Sequence, residues 1–225
     1  MKKYFLEIYR NNRIFLLPYI VIFLTGFILF ISNYKDELLF YFNYNRVNLL
    51  SEYFKFSSNL VGGIGIPILL ILALLHRYST FFKVGISALI TFLIVDLLKR
   101  ITNLPRPSTF FANSKVILLN PIPGVELHFL RSFPSGHAAA GFAIFFGFAI
   151  LSKNKIGKLI CLFIACSIAI SRVYLLQHFT RDILFGSLLG IIMTSIIFYI
   201  FDQFVFIKKS SWYNRTIFSP EFNIE

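Results

Sequence analysis

Residues 134–151 read Pro-Ser-Gly-His-Ala-Ala-Ala-Gly-Phe-Ala-Ile-Phe-Phe-Gly-Phe-Ala-Ile-Leu. A turn-forming tripeptide and a histidine open a run that holds no Lys, Arg, Asp or Glu, close to the length a helix needs to cross the hydrocarbon core of a bilayer. The pattern repeats outward in both directions. Further apolar runs occupy about 14–32, 59–76, 81–98, 159–175 and 183–202, each bounded by polar or basic breaks. With 136–151 they predict an all-α bundle of six transmembrane helices. Hydrophobic residues make up 57% of the 225, and Phe alone occurs 29 times, so a soluble fold could not hide its apolar surface.

Six spans place both ends of the chain on one side. The breaks there hold Arg77, Lys83, Lys153, Lys155, Lys158, Lys208, Lys209 and Arg215, so the positive-inside rule predicts cytoplasmic termini. Membrane topology and anionic lipid account for the net charge of +12, and no nucleic-acid partner is expected. Basic residues before the run 14–32 resemble a signal sequence, but Asn33, Tyr34, Lys35 and Asp36 follow with no small-residue cleavage site, so the run is expected to stay as the first span. Tyr4, Phe5, Ile8 and Tyr9 share one helical face, which predicts that the first dozen residues lie along the membrane surface. The break 33–58 alternates apolar residues with charges and is expected at headgroup level. Five prolines exclude a continuous helix from the longest break, Lys99 to Gly136. Cys161 and Cys166 are spaced neither like a metal pair nor like a redox pair, and they read as packing residues. No internal repeat or second domain is visible, so residues 1–225 read as one domain.

The outer side is also basic, with Lys99, Arg100, Arg106, Lys115, Arg131, Arg172 and Arg181. Snorkelling explains any one of them but not their concentration beside histidines and an aspartate. By parity, the end of the third span (Lys99), the start of the fourth (His137), the end of the fifth (Arg172) and the start of the sixth (Asp182) reach the same face. Four helix ends can therefore converge on an extracytoplasmic site holding Lys99, Arg106, Ser135, His137, Arg172, His178 and Asp182. That is an inventory for processing an anion, and phosphate suits it best.

A phosphoryl group in transfer spreads charge over three equatorial oxygens and needs several fixed donors. Lys99, Arg106 and Arg172 supply them. Backbone N–H groups around Ser135 and Gly136, where an apolar helix begins, suit an anion cradle; an ordinary helix cap is the alternative reading of the same residues. His178 and Asp182 are four apart and share a helical face, so the carboxylate can hold one imidazole nitrogen while the other attacks phosphorus. His137, from another helix, can deliver a proton to the leaving oxygen. Such a division of labour predicts a bell-shaped dependence of activity on pH.

Three motifs frame these residues: Lys-x6-Arg-Pro at 99–107, Pro-Ser-Gly-His at 134–137 and Ser-Arg-x5-His-x3-Asp at 171–182. Complete and in order, they resemble the type 2 phosphatidic acid phosphatase (PAP2) superfamily. The resemblance implies a phosphohistidine formed on His178, orientation by Asp182, and a general acid at His137 that later activates water. It also implies phosphate binding by Lys99, Arg106, Ser135, Gly136 and Arg172, with no cofactor and no metal ion. The sequence offers no carboxylate cluster suited to magnesium and no His-Glu-x-x-His motif. Vanadium haloperoxidases share a similar site, but they are soluble, which this composition excludes.

Other residues read as bystanders: His76 at the cytoplasmic face, His128 and Arg131 as solvated loop residues, Arg100 and Arg181 as pointing away from the site, and Tyr174 as an interfacial aromatic. The expected activity is a membrane lipid phosphatase. Its compact frame resembles bacterial members, in the inner membrane with the site facing the periplasm or cell exterior. The motifs read the phosphate and not the body attached to it. Wording around the third motif (Tyr-Leu-Leu-Gln-His-Phe, 174–179) resembles lipid A phosphatases; undecaprenyl pyrophosphate, phosphatidylglycerol phosphate and phosphatidic acid are the alternatives. An anion transporter and a catalytically silent lipid-binding protein are the competing classes. Oligomeric state is not readable.

Overall fold

The computed structural model describes residues 1–32, 36–112, 119–203 and 215–216. Lys115, Lys208, Lys209 and nearly all of the tail beyond 203 therefore lie outside the described residues. Among those described there are nine helices and no strand: α1 (Lys2–Ser32), α2 (Glu37–Tyr44), α3 (Asn48–Asn59), α4 (Gly65–His76), α5 (Tyr78–Thr102), α6 (Pro107–Phe110), α7 (Gly136–Leu151), α8 (Lys155–Tyr174) and α9 (Thr180–Gln203). By length and apolarity α1, α5, α8 and α9 suffice to cross a membrane, whereas α4 and α7 are shorter apolar helices. The chain is a multi-pass membrane protein. A belt of exposed apolar side chains, including Val21, Ile28, Ile71, Phe92 and Phe163, faces outward from the bundle.

α7 is the axis, packed by α5, α8 and α9, and Ala138, Ala139, Phe142, Ala143, Ile144 and Phe146 on it are buried. Lipid is as apolar as these side chains, so helices in a membrane are held by close packing rather than by escape from solvent. Glycines on α9 make that packing possible. A Cβ at Gly186 would stand 2.5 Å from the Ser135 carbonyl oxygen, and one at Gly190 would collide with the Ala139 carbonyl. The two backbones therefore meet most closely where α7 begins, and there Ser135 N–H donates to the Asp182 carbonyl at 2.9 Å.

α4 is shorter than the apolar run 59–76 predicts because its first residues form a turn. Gly63 has φ +43°, a conformation side chains resist, and a Cβ at Gly65 would clash with the Asn59 and Leu60 carbonyls. α1 bends at Asn12 (φ −118°), whose amide donates back to the Ile8 carbonyl at 2.9 Å. The first dozen residues do form a separate segment, but Tyr4 and Phe5 pack on Tyr199 of α9. The break 33–58 is likewise more than an interfacial strip. α3 docks on α8, with Tyr53 Oη 2.7 Å from Ser167 Oγ and the Phe54 and Tyr174 rings 4.7 Å apart.

Two lysines used in the charge argument are internal. Lys83 pairs with Asp202 at 2.8 Å, and Lys158 donates to the Asn11 carbonyl and the Asn12 amide oxygen. They tie the bundle together at the end opposite the motifs.

Candidate active site

The turn between α8 and α9 presents His178. Leu176 at φ +57° closes α8 with a left-handed residue, and the N–H groups of Gln177 and His178 both donate to the Arg172 carbonyl, at 2.9 and 3.1 Å. This turn fixes the imidazole and the Arg172 guanidinium to one short piece of backbone. His178 is 1% exposed. Its Nδ1 lies 3.4 Å from Asp182 Oδ2, and the Ser132 carbonyl also accepts a hydrogen bond from the imidazole. Burial, then the Arg106, Arg172 and Lys99 charges, hold this imidazole well below the usual histidine range, so it is neutral.

Asp182 is fully buried. Its Oδ2 also accepts from the Ser132 hydroxyl and from Phe179 N–H at 3.0 Å. Arg181 Nε stands 3.4 Å from Oδ1 without hydrogen-bond alignment, leaving Oδ1 unbonded among the described residues. Arg181 thus approaches the site carboxylate rather than pointing away, and its guanidinium lies over the Phe179 ring.

Three cations surround His178 from three directions. Arg106, at the start of α6, is 7% exposed; Nε donates to the Leu130 carbonyl and Nη1 to the carbonyl and amide oxygens of Gln177. Arg172 Nη1 is held by Ser58 of α3, while its buried Nε has no hydrogen-bond partner among the described residues. Lys99, in the last turn of α5, puts Nζ 3.9 Å from where a Cβ on Gly136 would sit. An orphaned buried donor beside two more cations is the arrangement a bound dianion satisfies. His137 faces the same space, with Arg172, His178, Lys99 and Arg106 acting on it electrostatically. A Cβ at Gly62 would stand 3.4 Å from His137 Nε2, so that glycine gives the ring its room.

Lys99, Gly136 and His137 line one space, the Arg106, Arg172 and Lys99 charges act on both imidazoles, and Asp182 stands behind His178. Ser135 has another part: its hydroxyl accepts from Ala138 N–H as the α7 cap, its own N–H is committed to Asp182, and it is fully buried. The cap reading therefore holds for its side chain. Gly136 and His137, at the first two positions of α7, keep N–H groups with no intrahelical acceptor. Tyr174 is no interfacial aromatic: it is fully buried and its hydroxyl meets Ser51 Oγ at 3.0 Å and the Val47 carbonyl at 3.2 Å. His76 stays a bystander, 3.0 Å from Thr80 Oγ1.

Sequence reasoning missed Ser132, Gln177, Ser58 and Asp36. Gln177, an amide between Leu176 and His178, carried a usable signal. Ser132 in a proline-rich loop and Ser58 at a helix end carried none. Asp36 accepts from Leu39 N–H as the α2 cap and from both the N–H and hydroxyl of Thr180, so one carboxylate joins α2 to the start of α9. No group of three or more His, Cys, Asp or Glu among the described residues is placed to hold a metal ion.

Residues 80–206 match the PAP2 superfamily, more than half of the chain and all three motifs. The chain belongs to the PAP2 superfamily. This PAP2 protein is also similar in structure to LpxE of Aquifex aeolicus, with a TM-score of 0.62 and 29% sequence identity over 72% of this chain and 93% of that one. No curated protein sequence matches it. Family and fold together make the chain a membrane phosphatase acting on lipid phosphates.

Proposed function

We propose that the protein cleaves a phosphate from a lipid in two displacements at His178, without a metal ion. His178 Nε2 attacks phosphorus, the bond to the lipid oxygen breaks, and His137 protonates that oxygen. Water then attacks the phosphohistidine, the phosphorus–nitrogen bond breaks, and His137 takes the water's proton. Asp182 orients His178 and stabilises its charge, with Ser132 and Phe179 N–H holding the carboxylate. Lys99, Arg106, Arg172 and the N–H groups of Gly136 and His137 bind the phosphate; Ser135 supports that cradle as the α7 cap. The observation that carries this reading is a buried neutral imidazole, held by a carboxylate, among three cations.

Six spans with cytoplasmic termini complete the proposal, placing the site at the periplasmic or outer face of a bacterial inner membrane. Lipid A is the leading substrate, supported by the wording around His178 and the likeness to LpxE of Aquifex aeolicus. Undecaprenyl pyrophosphate and phosphatidylglycerol phosphate follow. The test is phosphate release in EDTA by purified protein from these three lipids and phosphatidic acid. Release from at least one, absent in His178→Ala, is the expected outcome. Turnover retained in that variant, or dependent on added metal, overturns the mechanism.

A further inference from the structure

Gln177 stands immediately before the nucleophile and is 1% exposed, so its amide is closed off from solvent. Both ends of that amide are used. Its Oε1 accepts from Arg106 Nη1 at 3.1 Å, and its Nε2 donates to the Glu126 carbonyl at 2.8 Å. The main chain adds to the pattern: the Gln177 carbonyl accepts from the same Arg106 Nη1 at 3.2 Å, and the Gln177 N–H donates to the Arg172 carbonyl at 2.9 Å. One residue therefore joins two of the three cations to the backbone that carries His178. An arginine only donates and a main-chain carbonyl only accepts, so a side chain between them must offer one acceptor and one donor. Glutamine offers both, whereas glutamate would set a second acceptor against the Glu126 carbonyl.

Every acceptor on the Arg106 side chain is uncharged. Nε goes to the Leu130 carbonyl and Nη1 to the two Gln177 oxygens, which leaves Nη2 with no hydrogen-bond partner among the described residues. The same holds more widely: among the described residues none of Lys99, Arg106 and Arg172 forms an ion pair with a carboxylate. A carboxylate is the acceptor that binds a guanidinium most strongly, but it would cancel the charge that an incoming anion needs. We infer that Gln177 is a positioning residue: it fixes Arg106 beside His178 without neutralising it, and so sets the affinity of the site for phosphate. The choice of phosphate as the ligand rests on the phosphatase reading.

Wild type, Gln177→Glu and Gln177→Met are compared in detergent with EDTA. The probe is inorganic phosphate, whose Kd follows from the rise of Tm with phosphate concentration. Glutamate keeps the acceptor for Arg106 and adds a charge; methionine has a similar length and loses both side-chain hydrogen bonds. Gln177→Glu is expected to weaken phosphate binding about thirtyfold, the equivalent of one charge-assisted hydrogen bond, and Gln177→Met about fivefold, the equivalent of an ordinary one. A residue that merely braces the turn gives the reverse order; that order, or one Kd for all three proteins, overturns the inference. The acid limb of kcat/KM is the second readout. His178 is surrounded by Lys99 from α5, Arg106 from α6, His137 from α7, Arg172 from α8, and Asp182 and Arg181 from α9, and after burial Arg106 acts on it most. A carboxylate at 177 raises its affinity for protons, so the limb moves to higher pH in Gln177→Glu and stays in place in Gln177→Met. A limb unmoved in Gln177→Glu contradicts the inference. If Gln177→Glu does not fold, Gln177→Met decides, and an unchanged Kd overturns it. Wild-type protein that binds phosphate but releases none from any lipid fails the phosphatase reading, while the Kd comparison still decides Gln177; wild-type protein that phosphate does not stabilise overturns both.

Discussion

At the scale of single residues, the chemistry depends on keeping His178 neutral and aimed. Burial, with Arg106, Arg172 and Lys99, lowers its affinity for protons, and protonation would remove the attacking lone pair. Because the shift is downward, the nucleophile stays competent as pH falls through the ordinary histidine range near 6.5. Measured kcat/KM is expected to show no loss attributable to His178 across that range, with the acid limb well below it; an acid limb centred at the ordinary histidine value contradicts the burial argument. That Lys99, His137, Arg172, His178 and Asp182 lie at one end of the bundle could be read from the sequence because short spacings on predicted helix ends placed them. Their supports could not. Ser132 reaches Asp182 across 50 positions, Arg106 reaches Gln177 across 71, and Arg172 reaches Ser58 across 114. Contacts of that range depend on how loops return, and no periodicity records it.

Helix ends are the next scale. α9 starts where three demands meet: Asp36 caps Thr180, Phe179 N–H bonds Asp182, and the Asp182 carbonyl takes Ser135 N–H. The capping function of Asp36 is readable from Asp-Glu-Leu-Leu at 36–39, but its hold on a second helix is not. Asp36→Ala removes both caps and is expected to cost about 2 kcal/mol, at ~1 kcal/mol per cap. Because Thr180 lies between His178 and Asp182, the same variant lowers kcat with little change in KM. Asp36→Asn, which keeps an acceptor oxygen, restores most of both. Loss of thermal stability with unchanged kcat would show that the cap does not position the nucleophile. α4 shows the opposite lesson: hydrophobicity overestimates its length because Gly62, Gly63 and Gly65 turn apolar residues out of the helix, a backbone effect that hydropathy does not register.

For the molecule as a whole, four helix ends gather the site at one end of the bundle, while Lys83–Asp202 and Lys158–Asn12 bind the other. Parity of the apolar runs anticipated this polarity. It holds because α8 runs antiparallel to both α7 and α9, with their short connections at alternate ends. With Cys161 and Cys166 replaced by alanine, a cysteine at exposed Glu126 is expected to react with a membrane-impermeant maleimide in spheroplasts. One at exposed Asn154 reacts only after permeabilisation. The reverse pattern would put the site in the cytoplasm and remove outer-leaflet lipids from the substrate candidates.

The decisive step is the covalent one, and it can be trapped. A phosphate-labelled aryl ester has a leaving group that needs no proton, so His137→Ala still forms the phosphoenzyme but cannot activate water to discharge it. Quenching in base, where phosphohistidine survives, and mapping the label is the most direct measurement. Label on His178, accumulating in His137→Ala and absent from His137→Ala/His178→Ala, is the expected result. Phosphate release by active protein with no label at His178, under conditions where His137→Ala turns over, would contradict the mechanism.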